Sequence, residues 1–503
     1  MGNKQAERKP EKVHPDQLDI QLNAVGKIPL KLAQKYKVLA VTAEGEFLTI
    51  LAGESINDYG LEDIRQITGM TLRVLLCDEK ELEQAIVYHY AELQARLAAK
   101  AANGSRKPEV KRMELEDGDG DTPIIKLLDS LVKRAYHNNA SDIHLEPFED
   151  HTMVRMRIDG MMNEYVTLRK HLHQSLIARI KILSDMDIVK RRTPQDGHFR
   201  MNIDGALVNM RVSVMPTVYG EKAVIRLLAG NCKVERSETF GMPEEIYHLA
   251  EQMIQAPNGL IYLTGPTGSG KTTTLYLMLK ALASRPVNIC TIEDPVERSL
   301  DGVSQTQINI PAGLTFEKGL RALLRQDPDV IMVGETRDSE TASISVRAAI
   351  TGHLVLSTLH TNDALSAIVR LKDMGVKPYL IANSLTGVVA QRLVRKLCCH
   401  CAAYAETSDA DRKYLNMEVP RIRVPAGCPR CGGSGYSGRI AVHEVVSVNR
   451  ELRKMIAGEA GMEEIRRYAK EVLGMKTIRE NGARLVADGV TSMEELRKAA
   501  YYE

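Results

Sequence analysis

The 503-residue chain contains no tryptophan, and aromatic residues make up 4% of it. Proteins that track single-stranded nucleic acid rely on stacking aromatics along a basic groove. With a net charge of +2 this chain is poor in both ingredients, which argues against nucleic acid as its main partner. No apolar run approaches the ~18 residues needed to cross a bilayer, so membrane association is expected to be peripheral, through a partner. The opening Met1–Pro10 is polar and lacks the apolar core of a signal peptide, which points to the cytoplasm. Cysteine is scarce outside one stretch: five of the eight lie between Cys398 and Cys431. Cys77, Cys232 and Cys290 are scattered and read as core thiols in a reducing compartment rather than as bridges. The remaining composition is that of a soluble globular chain, long enough for about three to four domains.

Residues 1–22 read as a polar tail. Residues 23–100 form a small α/β unit. Apolar positions at helical spacing run through Pro29–Tyr36, and alternating segments Lys37–Thr42 and Glu46–Leu51 flank Glu44-Gly45 as a hairpin. The spacing predicts further helices over Ile64–Thr71 and Glu79–Leu97. Residues 101–121, with Asn103-Gly104-Ser105 and the acidic run Glu114–Asp121, read as a flexible linker. The acidic run lacks the ligand spacing and closing Glu of a Ca²⁺ loop. An α+β domain follows over 122–232. It opens with Thr122-Pro123 as N-cap and first helical residue, and Ile124, Leu127, Leu128, Leu131 and Ala135 share one helix face. A hairpin is predicted around Asp159-Gly160, with strands at Phe199–Ile203, Leu207–Val214 and Ala223–Leu228. From about Met242, apolar strands alternate with helices, the pattern of a parallel sheet with crossover helices. We place this core at 233–390, a cysteine-bearing module at 391–448 and C-terminal helices at 449–503.

The chemistry concentrates in the core. Leu260–Leu263 is an apolar strand, Gly265–Thr272 reads GPTGSGKT, and a helical segment follows. Strand, GxxxxGK[ST] loop and helix form the phosphate-binding loop of a nucleoside triphosphatase. Gly265, Gly268 and Gly270 let backbone N–H groups of the loop, with Thr267, Ser269 and Thr273, converge on phosphate oxygens. The helix N-terminus adds its unsatisfied N–H groups. Lys271 reaches the β/γ-phosphates, and Thr272 holds Mg²⁺ through its hydroxyl. Downstream, the strand Val287–Ile292 ends in Glu293, Asp294 and Glu297, carboxylates that polarise a water or hold Mg²⁺, unless they simply cap a solvated strand end. Val330–Val333 ends in Glu335, the Walker B pattern. His353 and His360 bracket the next short apolar strand, as hydrogen-bonded structural residues or as sensors of the γ-phosphate.

Cys398-x-x-Cys401 and Cys428-x-x-Cys431, separated by residues 402–427, supply four thiolates for tetrahedral Zn²⁺. A redox pair needs only one CxxC, and four ligands leave no open coordination position, so a structural zinc is expected.

Taken in order, Gly265–Thr272, Thr291–Glu297, Leu324–Arg337 and Thr351–His360 resemble the secretion ATPase superfamily, as do Ser141–Pro147, Pro194–Gly197 and Tyr219–Arg226 upstream. The tetracysteine insert resembles the type II secretion and type IV pilus assembly branch; pilus retraction ATPases lack it, together with the first domain. The resemblance spans residues 25–500. It implies an α/β fold: a RecA-like P-loop core, an α+β (PAS-like) domain before it, a small α/β N-terminal domain and a zinc-binding insert. It also implies a homohexameric, Mg²⁺-dependent ATPase at the cytoplasmic face of the membrane. Such a motor acts on a polytopic inner-membrane platform protein to add pilin-like subunits to a filament. In the implied roles Glu297 activates water, Glu335 acts through Mg²⁺ or that water, and His353 and His360 couple the γ-phosphate to domain movement. Arg200 or Arg211, and Arg226, meet the phosphates on closure. Where many relatives read Gln-Asp-Gly-Arg, Gly197 is followed by His198, which favours Arg211. The first domain resembles a partner-docking domain that binds a membrane-associated component. The cyclic-di-GMP motif that some members carry there is not found, so no such site is expected. A nucleic-acid translocase on the same core is the competing reading.

Overall fold

A computed structural model of the chain describes most of residues 13–93, then 123–228 and 239–501. The linker 101–121, Thr122, Cys232 and most of the polar tail lie outside the described residues. The chain divides into two compact units, Met1–Cys232 and Lys233–Glu503.

In the first unit, Pro29 precedes the helix Leu30–Tyr36. β1 (Val38–Glu44) and β2 (Phe47–Ala52) pair antiparallel around Gly45, which sits at φ 57°. The helix expected at 64–71 starts and stops earlier, at Asp58–Thr68. Gly69, at φ 65°, bonds its N–H to the Arg65 carbonyl and closes the helix, the usual task of glycine at that position. Thr71 then opens a strand that the pattern did not announce, β3 (Thr71–Leu76), parallel to β2. Ala33, Leu39, Leu48, Ile50 and Ile64 form the buried core.

The α+β domain is a six-stranded antiparallel sheet built from β4 (Ala140–Pro147), β5 (His151–Ile158), β6 (Met161–Arg169), β7 (Gln195–Ile203), β8 (Ala206–Thr217) and β9 (Gly220–Leu227). Its order is β6-β5-β4-β9-β8-β7. Asp159 and Gly160, at φ 49° and 83°, join β5 to β6, the two positive angles that a two-residue hairpin turn demands. Central β4 was not foreseen as a strand. Its Ile143 and Leu145 face the core formed with helices Pro123–His137 and Lys170–Leu183, among Leu127, Leu131, Leu176 and Ile180. Period 2 sends Asp142, His144 and Glu146 to the other face.

The second unit is organised by a seven-stranded sheet. β10 (Gly259–Thr264), β11 (Ile289–Glu293), β12 (Ser304–Gln307), β13 (Val330–Val333), β14 (Leu354–Leu359) and β15 (Leu385–Leu397) are parallel neighbours in the order β12-β11-β13-β14-β10-β15. Both faces are covered, as parallel sheets require. Leu260 and Tyr262 of β10, with Ile331 and Val333 of β13, enter one core with helices Phe316–Leu323, Ser339–Ile350 and Ser366–Asp373. The alternate residues Ile261, Leu263, Val330 and Met332 enter the other, under helices Glu244–Ile254 and Lys271–Leu282.

β15 continues into the cysteine-bearing module, which contains the small antiparallel pair β16 (Ala403–Glu406) and β17 (Arg421–Val424). The chain returns along β18 (Tyr436–Ser447), antiparallel to β15 at the sheet edge. Residues 391–397 and 436–447, expected within the module, are therefore strands of the core sheet. Their apolar residues Val394 and Val442 are buried. The C-terminal helices pack on both the core and the module. Ile456 and Ile465 join the first core, while Val486 and Leu496 pack on Leu415 and Ile422 of the module.

Candidate active site and tetracysteine cluster

Parallel strands all end on one edge of their sheet, and that edge is where such folds bind ligands. β10 ends in the loop Gly265–Gly270, and Lys271 is the first residue of the following helix. Gly265, Gly268 and Gly270 have φ of 144°, 77° and 86°, a region favouring glycine. A Cβ on Gly265 would sit 2.4 Å from the Gln391 carbonyl oxygen. Thr267 and Gly268 are exposed, Ser269 is buried and Thr272 is half-buried. Gly270 caps the helix without a side chain, so the first-turn N–H groups stay available to an anion.

Lys271 Nζ donates to the carbonyls of Gly265 at 2.8 Å and Pro266 at 3.0 Å. Burial drives its pKa down, the Glu335 carboxylate offsets part of the fall and Arg392 adds to it, leaving a value of about 8. Beneath the loop lies a residue that sequence spacing did not single out. Gln391 of β15 is 2% exposed. Its Nε2 donates to the Ser269 carbonyl and its Oε1 accepts from Thr274 Oγ1, both at 2.8 Å. One amide thus braces the loop and the helix from the neighbouring strand.

Strand order decides which acids meet the loop. β14 separates β10 from β13. Glu335, two residues beyond β13, receives Arg337 Nε at 2.7 Å and pairs with His360 Nε2 at 3.0 Å. Lys271, Glu335 and His360 therefore share the C-terminal edge. His353 does not join them. It lies at the start of β14, where its carbonyl accepts from Gly259 N–H and its Nδ1 lies 3.0 Å from the Ala348 carbonyl. The intervening strand puts it roughly 20 Å from His360, at ~3.3 Å per residue.

Glu293, the last residue of β11, is 3% exposed. Its carboxylate accepts from Tyr276 Oη at 2.5 Å, Thr291 Oγ1 at 2.6 Å and Gln305 Nε2 at 3.1 Å. With three donors it is an anchor, removed from the water-polarising set. Glu297, four residues on, is exposed, and its N–H donates to Tyr276 Oη at 3.2 Å.

In the α+β domain, Arg200 and Arg211 are exposed on β7 and β8, and Arg211 stands opposite both His198 and Arg226. On the same face Asp142 binds Arg226 at 2.8 Å, and Glu146 binds Arg155 and Lys222, each at 2.6 Å. The two carboxylates neutralise part of a basic surface and hold its side chains in rows. The strand pairing brings Arg155 and Lys222 together on this face around Glu146.

The four cysteines come together with their sulfurs all within 4.8 Å. Cys398–Cys428, Cys401–Cys431 and Cys428–Cys431 are separated by 3.9, 3.8 and 3.7 Å. A tetrahedron of thiolates at ~2.3 Å from a zinc ion has edges of about 3.8 Å. The N–H groups of Cys428 and Gly435 donate to Cys431 Sγ at 3.2 and 3.1 Å, which supports a thiolate there. The set can hold a metal ion.

Residues 117–498 match the family described as Type II/IV secretion system protein. The chain belongs to that family. It is a secretion ATPase of the type II secretion and type IV pilus assembly group. Residues 9–96 match the MshEN domain. The family member resembles "Type II secretion system protein E" of Aeromonas hydrophila, 40% identical over 94% of this chain and 96% of that protein. It also resembles "Type II secretion system protein HxcR" of Pseudomonas aeruginosa, 46% identical over 77% of this chain and 79% of that protein. Among solved structures, the pilus retraction motor PilT with bound ADP is 26% identical with a TM-score of 0.52, covering 74% of this chain and 96% of PilT. The Legionella pneumophila ATPase DotB is similar in fold, with a TM-score of 0.57 and 21% identity over 77% of this chain and 98% of DotB. Among the described residues no helix is long and apolar enough to cross a membrane.

Proposed function

We propose that the protein is a Mg²⁺-dependent homohexameric motor at the cytoplasmic face of the inner membrane. Its ATP hydrolysis drives assembly of type IV pilus or type II secretion pseudopilus subunits through a polytopic platform protein. The observation that carries this reading is the convergence of Lys271, Glu335 and His360 at one edge of a parallel sheet, in a chain of the secretion ATPase family.

In this reading the loop amides of Gly265–Gly270 and the Lys271 ammonium bind the phosphates. Thr272 and Glu335 offer the hard oxygen donors that suit Mg²⁺, which would neutralise charge developing on the β- and γ-phosphates. Glu297 takes the proton of the attacking water. Glu335 orients that water or the ion, and its pairing with His360 ties the γ-phosphate to the loop after β14. His353 has no part at the phosphates of its own subunit. Arg211, with Arg200, meets the phosphates when the α+β domain closes. A cation supplied in this way is worth about 10³–10⁵ in rate in other phosphoryl-transfer enzymes. Cys398, Cys401, Cys428 and Cys431 hold a structural Zn²⁺, and residues 23–100 dock a membrane-associated partner.

The test pairs an assay with a phenotype. Purified protein should hydrolyse ATP without stimulation by single-stranded DNA, whereas DNA-stimulated turnover would favour a translocase. In the host, Lys271→Ala should abolish either surface pili or exoprotein release, and the process lost assigns the machine. Loss of neither would sink the motor reading.

A further inference from the structure

The tyrosine beneath the carboxylate loop makes hydrogen bonds that point in different functional directions. Tyr276 lies in the helix Lys271–Leu282, five residues after Lys271, and is 7% exposed. Its hydroxyl donates to Glu293 Oε2 at 2.5 Å and accepts the N–H of Glu297 at 3.2 Å. The same oxygen therefore joins three elements: the helix that carries the phosphate-binding lysine, the end of β11, and the segment that carries Glu297. Glu293 stays anchored by Thr291 and Gln305 on its other oxygen. A phenol that donates to a carboxylate is polarised toward accepting, which strengthens its bond to the Glu297 amide. Glu297 itself is exposed and lies beyond the end of its strand; its neighbours are held from β12, the Val296 N–H by Gln307 and the Arg298 carbonyl by Gln305, while its own N–H is held by Tyr276.

We propose that Tyr276 is a positioning residue: its hydroxyl ties the Glu297 segment to the phosphate-loop helix and holds the base at a constant spacing from the γ-phosphate. This rests on the assignment of Glu297 as the base. The effect on the reaction is one of orientation, since misplacement by about 1 Å at a reacting centre is enough to cost on the order of 100-fold. Substrate binding draws on the loop amides and Lys271, which the tether does not touch.

Steady-state ATPase kinetics of the full chain test this with three variants. Tyr276→Phe keeps the ring and removes the hydroxyl; kcat should fall at least tenfold while KM for ATP stays within twofold. Thr291→Val is the control. It removes another donor from the same Glu293 carboxylate without touching Glu297, and its kcat should stay within twofold of the wild type. Circular dichroism and the thermal midpoint check that both variants are folded. A kcat for Tyr276→Phe within twofold of wild type, or a parallel fall in both variants, would overturn the tether. Glu297→Gln separates the two levels. If it retains full turnover, the base assignment fails. If it is inactive while Tyr276→Phe is fully active, only the tether fails.

Discussion

Nucleotide binding should take up protons in the mildly alkaline range, because the lysine proposed to meet the phosphates is buried. Burial outweighs the help of Glu335 and leaves Lys271 with a pKa of about 8, against 10.5 for an exposed lysine. The phosphates of ATP favour the charged form and raise that pKa on binding. Binding at pH 8 should then draw about 0.5 proton, falling to about 0.1 at pH 7 and rising to about 0.9 at pH 9. Affinity should accordingly drop about fivefold between pH 8 and 9 and approach tenfold per unit above that, until the pKa of the bound state is reached. Isothermal titration calorimetry with a non-hydrolysable ATP analogue, in two buffers of different ionisation enthalpy, reads the proton count directly. The same shift has a stability consequence of definite sign. Between about pH 8 and 10.5 the unfolded chain binds the proton and the folded chain does not, so the cost of burying the cation is relieved as pH rises through that window. Enthalpies independent of buffer at pH 8 to 9, together with a flat affinity across that range, would refute the argument.

Two further outcomes follow from the geometry. Stripping metal with a strong chelator, or Cys431→Ser, should release one zinc per chain by mass spectrometry and unfold the module between β15 and β18. Structural zinc is worth about 10–16 kcal/mol in small metal-dependent peptides, and the thermal midpoint should fall accordingly. Gln391→Leu strands the buried Ser269 carbonyl and Thr274 hydroxyl. It should cost about 1–3 kcal/mol in urea denaturation and weaken binding of a fluorescent nucleotide, whereas unchanged affinity would mean that the loop holds its shape without the brace.

Several features were legible because they are local. Glycines at fixed offsets before Lys271 specify a backbone that wraps an anion, whatever surrounds it. The two CxxC pairs specify a pair of cysteine knuckles that can hold a metal, since three-residue spacing sets both sulfurs on one turn. The turn at Asp159-Gly160 followed from the positive angles that its residues accept. Polar β12 and mixed β4 escaped notice because each depends on its neighbours: β12 rests on the edge of β11, and β4 is paired on both sides.

By itself, the sequence determined the phosphate loop, the cysteine knuckles and the alternation of strands and helices, because these are written in residue types a few positions apart. Tertiary structure alone decided which candidates share a site. The acids Glu293 and Glu335 both end apolar strands, yet one is sealed among three donors while the other meets His360. The histidines His353 and His360 flank one strand and so occupy opposite edges of the sheet. Gln391 lies some 120 residues beyond the loop that it braces. Strand order and direction arise from the burial of both sheet faces over the whole core, a long-range condition that no short motif carries.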